Sequence, residues 1–231
     1  RNIILSLPYP GVVMPLYQFF KNLSRHFINS FKSFYFPVDP DSKMRYTSPM
    51  NQEIHRRVAS CAAGFALPRY AELPQVGLYL DQAVQYVNGC FRAFPGVELT
   101  PSMVSNYVKK GIISHPVKKK YTREQLASLL YIVVSKTVLP MENIQALFVM
   151  QRAHCTAAEA YDYFCLEMEN CVPFVFGTRK TIRDLAVDAA DEKLLLRSTI
   201  LAAANKMYLD SFFAAQRQED ALWPDILPDL A

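Results

Sequence analysis

The chain has 231 residues, 51% of them apolar and 20% charged, with a formal charge of +4. This composition excludes an intrinsically disordered chain and supplies enough apolar material for one large core or two small ones. A charge this mild permits a nucleic-acid partner without arguing for one, so that case rests on local clustering of cations.

Residues 1–49 are rich in Phe and Tyr and broken by prolines. Between Pro15 and Pro37, Leu16, Phe19, Phe20, Leu23, Phe27, Phe31 and Phe34 share a helical face, while Lys21, Arg25 and Lys32 lie elsewhere. A basic aromatic helix of this kind can lie on an anionic membrane. A helix packed on the protein's own core, or a segment that is not part of the native protein, is the plainer reading, and the two together are preferred here over membrane contact by residues 16–34. Met50 opens MNQEIHRR and reads as a translation start, which would make 1–49 an upstream extension. The N-terminal extension is therefore set at 1–65, part of it not necessarily native.

A short helix is expected over Gln52–Gly64, then an irregular connector around Pro68 and Pro74. Leu80, Val84, Val87 and Phe91 repeat at three- and four-residue steps and predict a helix over Leu78–Phe94, closed by Pro95-Gly96. The next helix begins with Thr100 as a hydroxyl cap and Pro101 at the first helical position, and it ends at Gly111 as a left-handed cap. Its Val104, Tyr107 and Val108 fall on one face, and Ser102, Ser105, Asn106 and Lys109 on the other. A basic strip, Lys118-Lys119-Lys120, follows within a few residues.

Thr122 and Gln125 form a capping box that opens a helix over Arg123–Thr137. Leu126, Leu129, Leu130, Val133 and Val134 leave that helix little solvent-facing surface, which marks it as the central core helix. Pro140 opens a shorter helix, Met141–Met150, with Ile144, Leu147 and Phe148 inward. Thr156 and Glu159 form a second capping box, starting a helix to about Glu169. Val172–Thr178 reads as a loop or lone strand.

The last element is long, roughly Asp188–Gln216, with Leu194, Leu201, Tyr208 and Ala215 recurring at sevens and Ile200, Ala204, Met207 and Ser211 alongside. That spacing serves a coiled-coil dimer seam or a core-covering helix equally well. The tail after Gln218, with Trp223, Pro224 and Pro228, reads as a non-helical end. The domain boundaries drawn from this pass are 66–150 and 151–231.

Five cysteines, Cys61, Cys90, Cys155, Cys165 and Cys171, give an odd count and no C-x-x-C pair, so neither zinc-finger spacing nor a disulfide framework is present. They read as reduced, packed thiols of a cytoplasmic protein, with no metal and no cofactor called for. Gly-rich phosphate loops, G-x-S-x-G and H-E-x-x-H are absent, and His26, His55, His115 and His154 are scattered over unrelated elements. No enzymatic activity is expected.

The stretches LPRYAELPQVGLYLDQ (Leu67–Gln82) and LTPSMVSNYVKKGIISHPVKKKYTREQLASLLYIVVSKTVLPMENIQALF (Leu99–Phe148) resemble the bacterial family filed as Domain of Unknown Function 1836. The resemblance extends from about Leu67 to Tyr208. The core of that family is similar in turn to the winged helix-turn-helix of MerR-type transcription regulators. Gly111-Ile112-Ile113 matches the Gly-Leu-Leu that follows the MerR recognition helix, and Lys120-Tyr121-Thr122 matches the end of its wing. Leu139–Ile144 sits where the next helix starts. Ser105 stands in the position of a MerR arginine, Asn106 and Tyr107 in those of paired tyrosines, and the strip His115–Lys120 is shorter than a typical wing.

The fold so implied is all-α, a MerR-like winged helix-turn-helix followed by a C-terminal helical module with a long terminal helix. The function so implied is DNA-binding transcriptional regulation without chemistry. The helix Pro101–Lys110 would enter the major groove of double-stranded DNA. The candidate contact set is Ser102, Ser105, Asn106, Tyr107, Lys109, Lys110, Lys118, Lys119, Lys120, Tyr121 and Arg123, with the cations on phosphate. The C-terminal module would serve homodimerisation and a small-molecule effector. The rival, favoured by Ser105 in place of arginine, is a helical protein- or ligand-interaction module that has lost DNA binding.

Overall fold

Three helix starts in this chain are written as threonine caps, at Thr100, Thr122 and Thr156. The computed structural model, which describes residues 49–183, 185 and 191–222, shows those caps made. Its elements are α1 (Pro49–Cys61), a 3-10 turn (Tyr70–Glu72), β1 (Leu78–Tyr79), α2 (Leu80–Cys90) and α3 (Pro101–Lys109). Then come β2 (Lys120–Tyr121), α4 (Arg123–Ser135), α5 (Met141–Arg152), α6 (Ala157–Val175) and α7 (Asp191–Leu222). The architecture is helical, with one two-residue antiparallel ladder that pairs Leu78 with Tyr121 and Tyr79 with Lys120.

At α4, Thr122 Oγ1 accepts from the Gln125 amide at 3.4 Å and Gln125 Oε1 accepts from the Thr122 amide at 2.8 Å. Thr156 and Glu159 repeat the exchange at α6, at 3.3 and 2.9 Å. Each box satisfies two amides that a helix start otherwise leaves without partners. The α4 helix is buried on nearly every side, through Gln125–Ala127 and Leu129–Ser135. It packs against α2, α6 and α7, the position expected of a helix with no polar face.

A single core runs from Ile54, Val58 and Ala62 of α1 through α4 to Ile200 and Met207 of α7. Helix α1 thus belongs to the same core as the elements that follow it. In α7 the inward stripe is Ile200, Ala203, Ala204, Met207 and Ser211, which packs on the chain's own helices. Of the heptad positions, Leu194 is exposed, and Leu201, Tyr208 and Ala215 are half-buried at the core's edge.

Three expectations change. Leu78 and Tyr79 are strand rather than helix, because the ladder to β2 takes their backbone groups, and the helix ends at Cys90 rather than Phe94. Helix α7 continues past Gln218 to Leu222. Val172–Val175 is the last turn of α6, not a loop or strand, and Pro173 lies inside that helix. An internal proline removes the bond to the carbonyl four residues earlier. Here that carbonyl, of Glu169, accepts instead from Arg179 Nη1 at 3.1 Å. Burial of Val172 and Phe176 in the core rewards the extra turn. The helix read over Leu16–Phe34, the residues from Trp223 onward and the expected start at Asp188 lie outside the described residues.

Candidate nucleic-acid interface

The short helix α3 is built to show one face. Thr100 Oγ1 accepts from the Met103 amide at 3.3 Å, and Pro101 supplies a helical φ where no amide is needed. At the other end Gly111 has φ +70°, a conformation that costs a side-chain-bearing residue about 1–2 kcal/mol. The Tyr107 carbonyl then accepts from the Ile112 amide at 3.0 Å, and buried Ile112 and Ile113 anchor the exit. Val104 and Tyr107 face the core, the latter 4% exposed, while Ser102, Ser105, Asn106, Lys109 and Lys110 are exposed. Ser105 Oγ donates to the Pro101 carbonyl at 2.9 Å and retains its acceptor capacity.

The connector from α2 to α3, Phe91–Thr100, is longer than the three- or four-residue turn of the commonest helix-turn-helix. It is held by one side chain. The Asn88 amide group accepts from the Leu99 amide at 2.8 Å and donates to the Leu99 carbonyl at 3.0 Å. Lys136, at the end of α4, donates to the Glu98 carbonyl at 2.5 Å, and burial depresses its ammonium pKa.

The lysine strip is a two-residue hairpin. Val117 and Lys120 exchange both backbone hydrogen bonds, at 2.9 and 3.1 Å, and Lys118 and Lys119 between them have φ of +51° and +65°. Positive φ at both central residues is the signature of a type I′ turn, which ordinarily carries Asn-Gly. Lys118 and Lys119 are exposed at the tip. Lys120 is half-buried, its ammonium 5.2 Å from the centroid of the Tyr79 ring. The base of the hairpin is pinned twice. Gln125 Nε2 donates to the Ser114 carbonyl at 2.7 Å. Gly77 lies so close to β2 that a Cβ there would come within 2.9 Å of Lys120 Cβ.

The eleven residues expected at the interface therefore divide. Ser102, Ser105, Asn106, Lys109, Lys110, Lys118 and Lys119 are exposed, and Lys120 is partly so. Among the described residues, none of these five lysines has an ion-pair partner. Tyr107 and Tyr121 leave the set, because both are 4% exposed and pack in the core. Burial raises both phenol pKa values, so the rings stay neutral. Arg123 also leaves it: its Nε donates to the Leu73 carbonyl at 3.1 Å, its guanidinium lies 5.6 Å from the Tyr70 ring centroid, and Nη2 is buried. That arginine ties the β1 approach to α4 and does not reach outward. Sequence spacing puts Arg123 next to the lysines, but only the fold shows which way it turns.

All five cysteines are free thiols; Cys165 and Cys171 are buried, and Cys61, Cys90 and Cys155 are half-buried. Burial pushes Cys165 up to about 11 and Cys171 up to about 12, the latter further raised by the neighbouring Glu167 carboxylate. No group of three or more His, Cys, Asp or Glu suited to a metal ion occurs among the described residues.

Residues 68–164 match the model of a family described as a domain of unknown function (DUF1836), somewhat less than half of the chain. The match spans α2, α3, the lysine hairpin, α4, α5 and the first part of α6, and it stops short of Tyr208, where the resemblance read from the sequence ended. No curated protein and no solved structure matches the chain.

Proposed function

We propose that residues 66–150 form a DNA-binding module of the MerR-like winged helix-turn-helix kind, and that the protein regulates transcription without catalysing a reaction. In this reading α3 enters the major groove with Ser102, Ser105 and Asn106 toward the bases. Lys109, Lys110, Lys118 and Lys119 hold phosphates, with Lys120 at the edge of the interface. The observation that carries the reading is the hairpin tip. Two lysines occupy left-handed backbone positions that Asn-Gly would fill without strain, and both side chains are exposed without an ion-pair partner among the described residues. A chain that tolerates this strain gains no packing from it, so a charged partner is the natural beneficiary.

With no exposed arginine on α3, bidentate readout of guanine is missing and backbone contact dominates. Exposed Leu195, Leu209 and Phe213 on the outer side of α7 support homodimerisation through that helix, which would set half-site spacing. A DNA-binding role implies a cytoplasmic location, and no described helix is long and apolar enough to cross a membrane.

A second reading, a protein-interaction module, is favoured by Val117, 64% exposed beside the lysines, and by Met103, 36% exposed on α3. Fluorescence anisotropy with a random-sequence duplex separates the two. The parent should bind at low salt with a steep salt dependence. Lys118→Ala/Lys119→Ala should weaken binding and flatten the log–log salt slope by about 0.9 for each phosphate no longer neutralised. Unchanged affinity and slope in the double variant would remove the wing from the reading. Absence of binding by the parent would favour the protein-interaction module.

A further inference from the structure

The ladder that anchors the lysine hairpin has one face turned to solvent. Its register sets Leu78 opposite Tyr121 and Tyr79 opposite Lys120, and Val117 exchanges hydrogen bonds with Lys120 on the hairpin's other arm. Directly opposed residues project to the same face, with Cβ atoms about 4.5–5.5 Å apart, and successive residues project to opposite faces. Half-buried Leu78 and buried Tyr121 therefore make the inner face, and Tyr79, Lys120 and Val117 stand side by side across the outer one. The Lys120 ammonium, 5.2 Å from the Tyr79 ring centroid, agrees with that placement. Tyr79 is 52% exposed and Val117 64%. A single exposed apolar side chain is ordinary, whereas a ring and a valine set on either side of one lysine stem form a continuous platform. Lys118 and Lys119, exposed at the turn, adjoin its end. Among the described residues no carboxylate pairs with any of these three lysines, and Asp81, which follows β1 closely, is no exception.

An exposed ring beside cations without ion-pair partners is complementary to a ligand that carries both planar faces and repeated negative charge. We propose that this platform binds single-stranded nucleic acid, with one unpaired base stacked on Tyr79, the adjoining sugar or base against Val117, and phosphates toward Lys118, Lys119 and Lys120. Duplex DNA keeps its base faces inside the stack and offers the platform its charge alone, whereas an unpaired strand offers both. An acidic peptide supplies the charge without the planar faces. The site shares Lys118 and Lys119 with the duplex contact proposed above but goes beyond it, and it does not require α3 to enter a groove.

The test is fluorescence anisotropy of the full chain at low salt with labelled oligothymidylate, oligouridylate, an abasic deoxyribose-phosphate strand and a duplex, all of one length. Oligothymidylate or oligouridylate should bind at least fivefold tighter than the abasic strand, the tighter of the two telling DNA from RNA. Tyr79→Ala, at an exposed position, should erase that preference while leaving the abasic affinity and the thermal midpoint unchanged. Tyr79→Trp should retain it, and Lys118→Ala/Lys119→Ala should weaken every strand alike. Equal affinity for abasic and base-bearing strands, or a preference that survives Tyr79→Ala, would overturn the proposal. Duplex binding without the preference would overturn it and leave the duplex reading standing, and binding of no probe would overturn both. Binding of polyglutamate that is lost in Tyr79→Ala, with no binding of either base-bearing strand, would overturn it in favour of an acidic protein segment.

Discussion

Lys118 and Lys119 show how much a single backbone angle can say about a residue's purpose. With φ of +51° and +65°, each side chain sits in a region that L-residues enter at a cost of about 1–2 kcal/mol. Lys118→Asn/Lys119→Gly should therefore raise stability by about 1 kcal/mol, after allowance for the freedom glycine adds to the unfolded chain. Thermal unfolding followed by circular dichroism measures this. The same variant should lose duplex affinity if the lysines are kept for their charge, so stability and binding move in opposite directions. A variant that gained neither stability nor lost affinity would mean the turn is not type I′ in solution. Arg123 makes the complementary point, because its neighbours in sequence are exposed lysines while its own guanidinium turns inward to Leu73 and Tyr70.

Whole elements were legible where the signal is local. Caps at Thr100, Thr122 and Thr156 act within three residues of themselves, so their pattern in the sequence is already the interaction. The faces of α3 and the all-round burial of α4 follow from helical periodicity in the same way. The end of α6 was not legible, because Pro173 signals a stop and the repair comes from Arg179 beyond the helix. Arg179→Ala should leave the Glu169 carbonyl without its donor and destabilise the protein by about 1–2 kcal/mol. Arg179→Lys should recover part of that loss. Urea unfolding monitored by circular dichroism gives both values, and a neutral Arg179→Ala would show that water replaces the guanidinium.

At the scale of the whole molecule the long helix is fastened by a buried charge. Glu167 of α6 is fully buried and accepts from Arg197 of α7 at 3.0 to 3.3 Å and from Tyr163 Oη at 2.9 Å. The Arg197 guanidinium also donates to the Arg183 carbonyl at 3.1 Å, which draws the segment between the two helices into the same cluster. Removing one partner of such a pair leaves the other charge uncompensated, a loss of about 3–5 kcal/mol. Arg197→Leu should show a loss of that order in chemical denaturation, and Arg197→Leu/Glu167→Leu should regain most of it. A double variant as unstable as the single one would mean the cluster contributes packing rather than charge compensation.

The sequence by itself determined the helical class, the places where most helices begin, the inward face of each short helix and the identity of the central one. These follow from interactions that span one or two turns, where neighbours in sequence are neighbours in space. Tertiary structure alone decided the rest. It paired Leu78–Tyr79 with Lys120–Tyr121 across some forty residues, turned Tyr121 and Arg123 inward and left Lys118 and Lys119 at a strained tip. It also joined Glu167 of α6 to Arg197 of α7. Those contacts depend on how distant segments meet while the core closes, and periodicity carries no information about that meeting.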